Sequence, residues 1–198
     1  MRSLSKRYQL NKNYNVEKER IIELITKSIE KLVDKDSDLF KQKMPKLGKS
    51  TEKERKLNRE LHETTLNHRF AFYLELGLIE NKILNYHVDI EYNRNFSDSK
   101  RVKVDKIRIP VRPDILIHKR MNTTQENSHL LVVEAKKHKT SGHDINKVKG
   151  FMTDEKYLYN FGLTISYSYN PKQVTAIFYF KKGTTIHTEE INVKRKEN

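Results

Sequence analysis

Two short segments hold the residues best suited to chemistry. One is Arg112-Pro113-Asp114; the other is Val133-Glu134-Ala135-Lys136. Residues two apart on a strand share a face, so Glu134 and Lys136 project together if their segment is extended. A hairpin through residues 121–128 then brings Asp114 beside them. Two carboxylates and one ammonium meet at one end of a sheet. A hard divalent cation accepts such a site, because two carboxylates, a backbone carbonyl and water satisfy it. Asp114 and Glu134 supply the carboxylates here, and the Ala135 C=O the third oxygen. The ion polarises a phosphodiester and makes a bound water more acidic. Lys136 orients that water or stabilises the developing negative charge, as a compact point charge does well. Simpler readings stand beside this one. Glu134 and Lys136 form a structural ion pair at a sheet edge, and Asp114 caps the turn after Pro113. Against both, a charged pair that interrupts an apolar run is costly unless used, and the third member arrives at the same place.

These residues need strands to carry them and helices to cover the strands. The run from His129 to Lys136 is apolar up to Glu134 and reads as a central strand. Asp114 to Lys119 is its partner strand. Residues 86–93 alternate and read as a strand, residues 93–100 as a hairpin loop, and residues 101–109 as a second strand. Pro110 and Pro113 confine regular pairing to the residues after them. Ser141-Gly-His-Asp144 opens a helix reaching about Phe161, with Asp144 as candidate N-cap. Residues 163–169 and 174–180 are strands around an Asn170-Pro171 turn, and 184–193 add an edge strand. Upstream, Ile22, Ile25, Ile29 and Leu32 recur at helical spacing in residues 16–33, after a polar arm over 1–14 that is expected to fray. Residues 34–50 read as a linker. Ser50 and Thr51 with Glu54 cap a second helix from about Glu52 to Leu76, with Gly77 near its end. The expected division is 1–50, an N-terminal arm, helix and linker, and 51–198, the domain that bears the site.

Composition narrows the partners. The formal net charge is +14, which attracts polyanions and neutralises phosphates on contact. The chain has no Cys, so thiolate metal sites, disulfides and a Cys nucleophile are excluded. No apolar run approaches the roughly 20 residues of a membrane span, and the start lacks the apolar core of a signal peptide. A cytoplasmic protein without a membrane partner is the expectation.

Pro113-Asp114 followed by Glu134-Ala135-Lys136 resembles the two halves of the PD-(D/E)xK nuclease motif. The context is similar too: each half sits on an expected strand, and a helix follows the second. The resemblance extends to a group of bacterial nuclease-like proteins through His68-Arg69, Val88-Asp89-Ile90-Glu91-Tyr92-Asn93-Arg94, Arg112-Pro113-Asp114 and Val133-Glu134-Ala135-Lys136-Lys137. It covers about residues 57–165. It implies an α/β fold of restriction-endonuclease type. That fold is a mixed β-sheet flanked by helices, in αβββαβ order, here with an N-terminal helical extension. It implies Mg²⁺- or Mn²⁺-dependent hydrolysis of nucleic acid, with DNA the analogous polymer, and a homodimer in which the N-terminal helix is a candidate contact. The superfamily also has an acid on a helix before the sheet. Glu63 is the candidate, implied as a further catalytic and metal-binding carboxylate and sharing a helical stripe with Leu66, Phe70 and Leu74; Glu60 is the fallback. An Arg59–Glu63 surface pair is the plainer alternative.

Lys137, Lys139, Lys147 and Arg69 are candidate phosphate contacts, although a solvated charge run explains the first two and docking of the helix against Glu91 or Asp89 the last. His118 shares the face of Asp114 and reads as a surface residue. Tyr157, Tyr159, Phe161, Tyr167 and Tyr169 read as core bulk. The rival function is a nucleic-acid-binding protein of the same fold without turnover.

Overall fold

The computed structural model describes residues 3–41, 52–92, 94–95, 98–99, 101–104, 107–120, 129–170 and 172–195, with side chains for 18–40, 63–92, 101–102, 108–120, 129–167 and 172–195. Its helices are α1 (Ser3–Lys35), α2 (Asp38–Lys41), α3 (Glu52–Glu80) and α4 (Gly142–Thr153). Its strands are β1 (His87–Ile90), β2 (Arg94–Asn95), β3 (Asp98–Ser99), β4 (Arg101–Val104), β5 (Ile107–Pro110), β6 (Ile115–His118), β7 (His129–Lys136), β8 (Phe161–Asn170), β9 (Gln173–Lys182) and β10 (Thr185–Lys194).

Six strands form one mixed sheet in the order β1-β6-β7-β8-β9-β10. All neighbours are antiparallel except β7 and β8. Parallel neighbours cannot be joined by a tight turn, and α4 makes the crossover. Strand alternation then assigns two cores. Ile115, Ile117, Leu131, Val133, Ala135, Leu163 and Ile165 face the layer of α1 and α3. Leu116 and Val132 face α4 and pack with Val148, Phe151, Met152 and Tyr159. Strand β7 is buried from His129 to Ala135, as its apolar run requires of a strand covered on both faces.

Helix α1 belongs to the main core. Ile21, Leu24, Ile25, Ile29 and Leu32 are each no more than 1% exposed. The expected stripe is shifted slightly: Ile21 and Leu24 join it, and Ile22 is only half-buried. The expected frayed arm is helical instead, since α1 starts at Ser3. Lys, Arg, Gln and Leu there are good helix formers, and extending a docked helix costs little once it is nucleated.

Other expectations need correction. Gly77 does not end the second helix, which runs on to Glu80. A Cβ at Gly77 would lie 2.3 Å from Leu24 Cδ1, so this glycine is a gap that lets α1 approach α3. Residues 101–109 are two strands that pair with each other, Val102 opposite Ile109, and not with the main sheet. Helix α4 ends at Thr153, well before Phe161, and its N-cap is Ser141. Asp144 is the reciprocal member of that capping box: its backbone N–H donates to Ser141 Oγ at 3.3 Å, and its carboxylate accepts the Ser141 backbone N–H at 2.8 Å. His118 is buried, 3% exposed, and lies 2.8 Å from Asp89 Oδ2. Linker residues 42–50, with the expected caps Ser50 and Thr51, fall outside the described residues, as does the side chain of Tyr169. The short helix α2 occupies part of the expected linker.

Candidate active site

Register places the first two acids together. Strands β6 and β7 are antiparallel with Ile115 opposite Val133, so Asp114 falls level with the last residues of β7. The Ala135 N–H donates to Asp114 Oδ2 at 2.7 Å. A strand residue's N–H and C=O leave from the same edge, so the Ala135 carbonyl also opens toward Asp114. Glu134 and Lys136 flank Ala135 on the face toward α4. The turn into β6 is secured from the other side, where Glu91 N–H donates to the Asp114 carbonyl at 3.0 Å.

Helix α4 brings a cation to this point. Its capping box fixes where it starts, just after β7. Gly162 lets it lie close on the sheet: a Cβ there would meet Val148 Cγ1 at 2.3 Å and Met152 Sδ at 2.9 Å. Lys147 Nζ consequently reaches Glu134 Oε2 at 2.5 Å, with side chains 14% and 0% exposed. The second oxygen, Glu134 Oε1, is buried and has no hydrogen-bond partner among the described residues. Helix α3 supplies Glu63, which accepts Lys137 N–H at 2.9 Å and Lys136 Nζ at 3.3 Å.

The electrostatics follow from this crowding. Burial, then the neighbouring Asp114 charge, push the Glu134 carboxyl up from 4.5 to about 8, against the opposing pull of Lys147. Burial also raises Asp114, offset in part by the Ala135 N–H and by Lys136 and Lys147. Burial works to lower Lys136, but Asp114 and Glu63 outweigh it and hold the ammonium protonated. Asp144 is buried as well, yet its bonds from Ser141 keep it below the usual carboxylate range.

Four of the sequence candidates therefore converge: Glu63, Asp114, Glu134 and Lys136. Lys147 joins them as the partner of Glu134, a tighter role than the phosphate contact expected of it. Lys137 contributes its backbone N–H, and Lys139 is exposed just beyond. Arg69 goes elsewhere. Its guanidinium holds Asp36 at 2.9 Å and the Tyr73 hydroxyl at 2.8 Å, tying the end of α1 to α3. Arg69 thus docks helices together, but on Asp36 and Tyr73 instead of the expected Glu91 or Asp89, which pair with Arg112 and with His118 and Arg120. The side chain of Glu60 lies outside the described residues.

Tyr167 is core bulk as expected, but its bond to Asn67 beside the site was not foreseen. Tyr167 is fully buried and donates to Asn67 Oδ1 at 2.9 Å, and Asn67 stands one turn after Glu63. The i, i+4 spacing of Glu63 and Asn67 was the one available signal.

No family model and no curated protein sequence matches the chain. Among the described residues, no three or more His, Asp or Glu side chains gather into a cage that could hold a metal by themselves. A divalent cation at this point would rest on Asp114, Glu134, the Ala135 carbonyl and water; Glu63, expected as a further ligand, is engaged instead by Lys136 Nζ and the Lys137 N–H. That donor set suits Mg²⁺ or Mn²⁺, which keep several waters. The buried, unpartnered Glu134 Oε1 is the observation that fits it.

Proposed function

We propose that this chain is a metal-dependent nuclease that hydrolyses phosphodiester bonds in DNA, with a restriction-endonuclease-like fold. One observation carries the reading: Asp114 is bonded to the backbone of Ala135, between Glu134 and Lys136, at the open end of the sheet. The topology supports the fold. A helix precedes three antiparallel strands, β1, β6 and β7, and α4 then crosses to the parallel strand β8. The net charge of +14 supports a polyanionic substrate.

A bound Mg²⁺ or Mn²⁺ would polarise the phosphate and acidify an attacking water. Asp114 and Glu134 would hold it, and burial of both raises the worth of each charge contact. Lys136 faces the same space with its ammonium protonated, so it can orient the water and stabilise negative charge as it develops. Glu63 fixes Lys136 by accepting from its Nζ and from the next backbone N–H. Lys147 neutralises Glu134 and stands near enough to contact a phosphate once that carboxylate takes another cation.

Plasmid nicking in Mn²⁺ tests the reading. Asp114→Asn and Glu134→Gln should each lower the rate by about 100-fold or more, and Lys136→Ala by a similar factor, with each variant still melting in one cooperative transition. A wild-type protein that binds DNA but cuts neither DNA nor RNA in Mg²⁺ or Mn²⁺ would favour the second reading, a binding protein of the same fold. The short Lys147–Glu134 bond is the feature that speaks for that alternative, because it satisfies one carboxylate oxygen without a metal.

A further inference from the structure

Strands β1 and β6 are adjacent and antiparallel, with Ile90 opposite Ile115. A two-residue turn would join such strands. The chain instead makes an excursion over residues 91–114, and long connections of this kind usually serve a function. Residues 91–113 hold seven Lys or Arg against three acids. The excursion leaves the sheet and returns to it at the end where Asp114 lies, as the Glu91–Asp114 backbone bond shows.

Its hairpin, β4–β5, is anchored on one side and charged on the other. Val102 is fully buried in the core under α4, and Ile109 packs against that core. The Arg101 N–H donates to the Tyr157 hydroxyl at 3.1 Å, and Arg108 reaches the buried Asp154 at 3.3 Å. Arg101 is exposed, and the Arg108 and Arg112 side chains are 43% and 59% exposed. Arg101 pairs with Pro110 at the root of the hairpin, and Pro110 is followed two residues later by Arg112, itself two residues before Asp114. Lys103 pairs with Arg108 one step further out. Arg101 and Arg112 thus lie exposed on the braced segment that leads into Asp114, Arg112 with Glu91 Oε2 at 3.5 Å.

We propose that the β4–β5 hairpin is the nucleic-acid-binding arm of this protein. Arg101 and Arg112 contact the phosphates of a DNA duplex whose scissile bond lies over Asp114 and Glu134. This deepens the nuclease reading and rests on it for the position of the scissile bond. Arg108 is a positioning residue, since its bond to Asp154 holds the hairpin against the end of α4.

The test is fluorescence anisotropy of a fluorescein-labelled DNA duplex, titrated with the full chain in EDTA over a range of KCl. Arg101→Glu/Arg112→Glu should weaken binding at least about tenfold near 0.1 M salt, and flatten the plot of log K against log salt by about two units of slope, one per lost phosphate contact. The milder Arg101→Gln/Arg112→Gln should move both in the same direction. A charge-matched control, Lys27→Glu/Lys31→Glu on α1, should lose much less. Equal losses in the two reversals, or unchanged binding in hairpin variants with wild-type melting curves, would overturn the arm. Absence of duplex binding by the wild type would overturn it too. Hairpin-dependent binding without metal-dependent cleavage keeps the arm and removes the nuclease; cleavage with hairpin-independent binding does the reverse.

Discussion

Glu134 is held between two demands. Burial and Asp114 favour its protonated form, whereas a metal ligand must be a carboxylate. In the unfolded chain it titrates near 4.5, and in the fold near 8. Between those values only the folded state keeps the proton. The contribution that favours the fold is therefore complete below 4.5, fades as pH rises, and is gone above about 8. Glu134→Gln cannot titrate and escapes this loss. Its melting temperature relative to wild type should climb as pH moves from about 5 to about 8, which a set of thermal melts would show. A flat difference across that window would mean that Glu134 is not buried as described. Mn²⁺ should also raise the wild-type melting temperature more at the upper end of that window, since binding must expel the proton.

At the scale of elements, the seat of α4 decides whether Lys147 meets Glu134. Gly162→Ala would drive a methyl into Val148 Cγ1, a branched and buried group that cannot swing aside. We expect a loss of about 1–3 kcal/mol by chemical denaturation, as for other overpacked sites. The double variant Gly162→Ala/Val148→Ala should recover part of the Gly162→Ala loss, because it removes the clashing methyl. The capping box sets the other end of the seat. Ser141→Ala removes the side chain that accepts the Asp144 N–H and should cost about 1 kcal/mol. It should also free Asp144 to rise toward the ordinary carboxylate range, since bonds from Ser141 are what hold it down.

At the scale of the whole molecule, the proposed nuclease reading assigns attraction to DNA and chemistry on it to different groups. The net charge of +14 acts at long range, and the acidic pair acts only on contact. Glu134→Gln should therefore cut no DNA yet bind it with a salt dependence close to that of the wild type, measured by the same anisotropy titration. Affinity should fall steeply with added KCl in both. Loss of binding together with cleavage would mean that the acids shape the binding surface itself.

Local pattern was enough to place the site on its strands. The apolar run before Glu134 dictated a central strand, and alternation put Glu134 and Lys136 on one face. Helical spacing likewise revealed the buried stripe of α3, with Leu66, Phe70 and Leu74 all at or below 1% exposure. Features that depend on two distant segments were not legible. Lys147 meets Glu134 only because Gly162, on a third element, leaves room for α4. Arg69 turns to Asp36 only because α1 and α3 pack side by side. Residues 101–109 fold back as a hairpin because Val102 and Ile109 find a shared apolar surface under α4, which no local periodicity announces. Periodicity is a property of neighbours along the chain, so the sequence by itself determined the strands, the helices and the faces they present. Contacts across the chain depend on how those faces close, so only the tertiary structure decided which charges met.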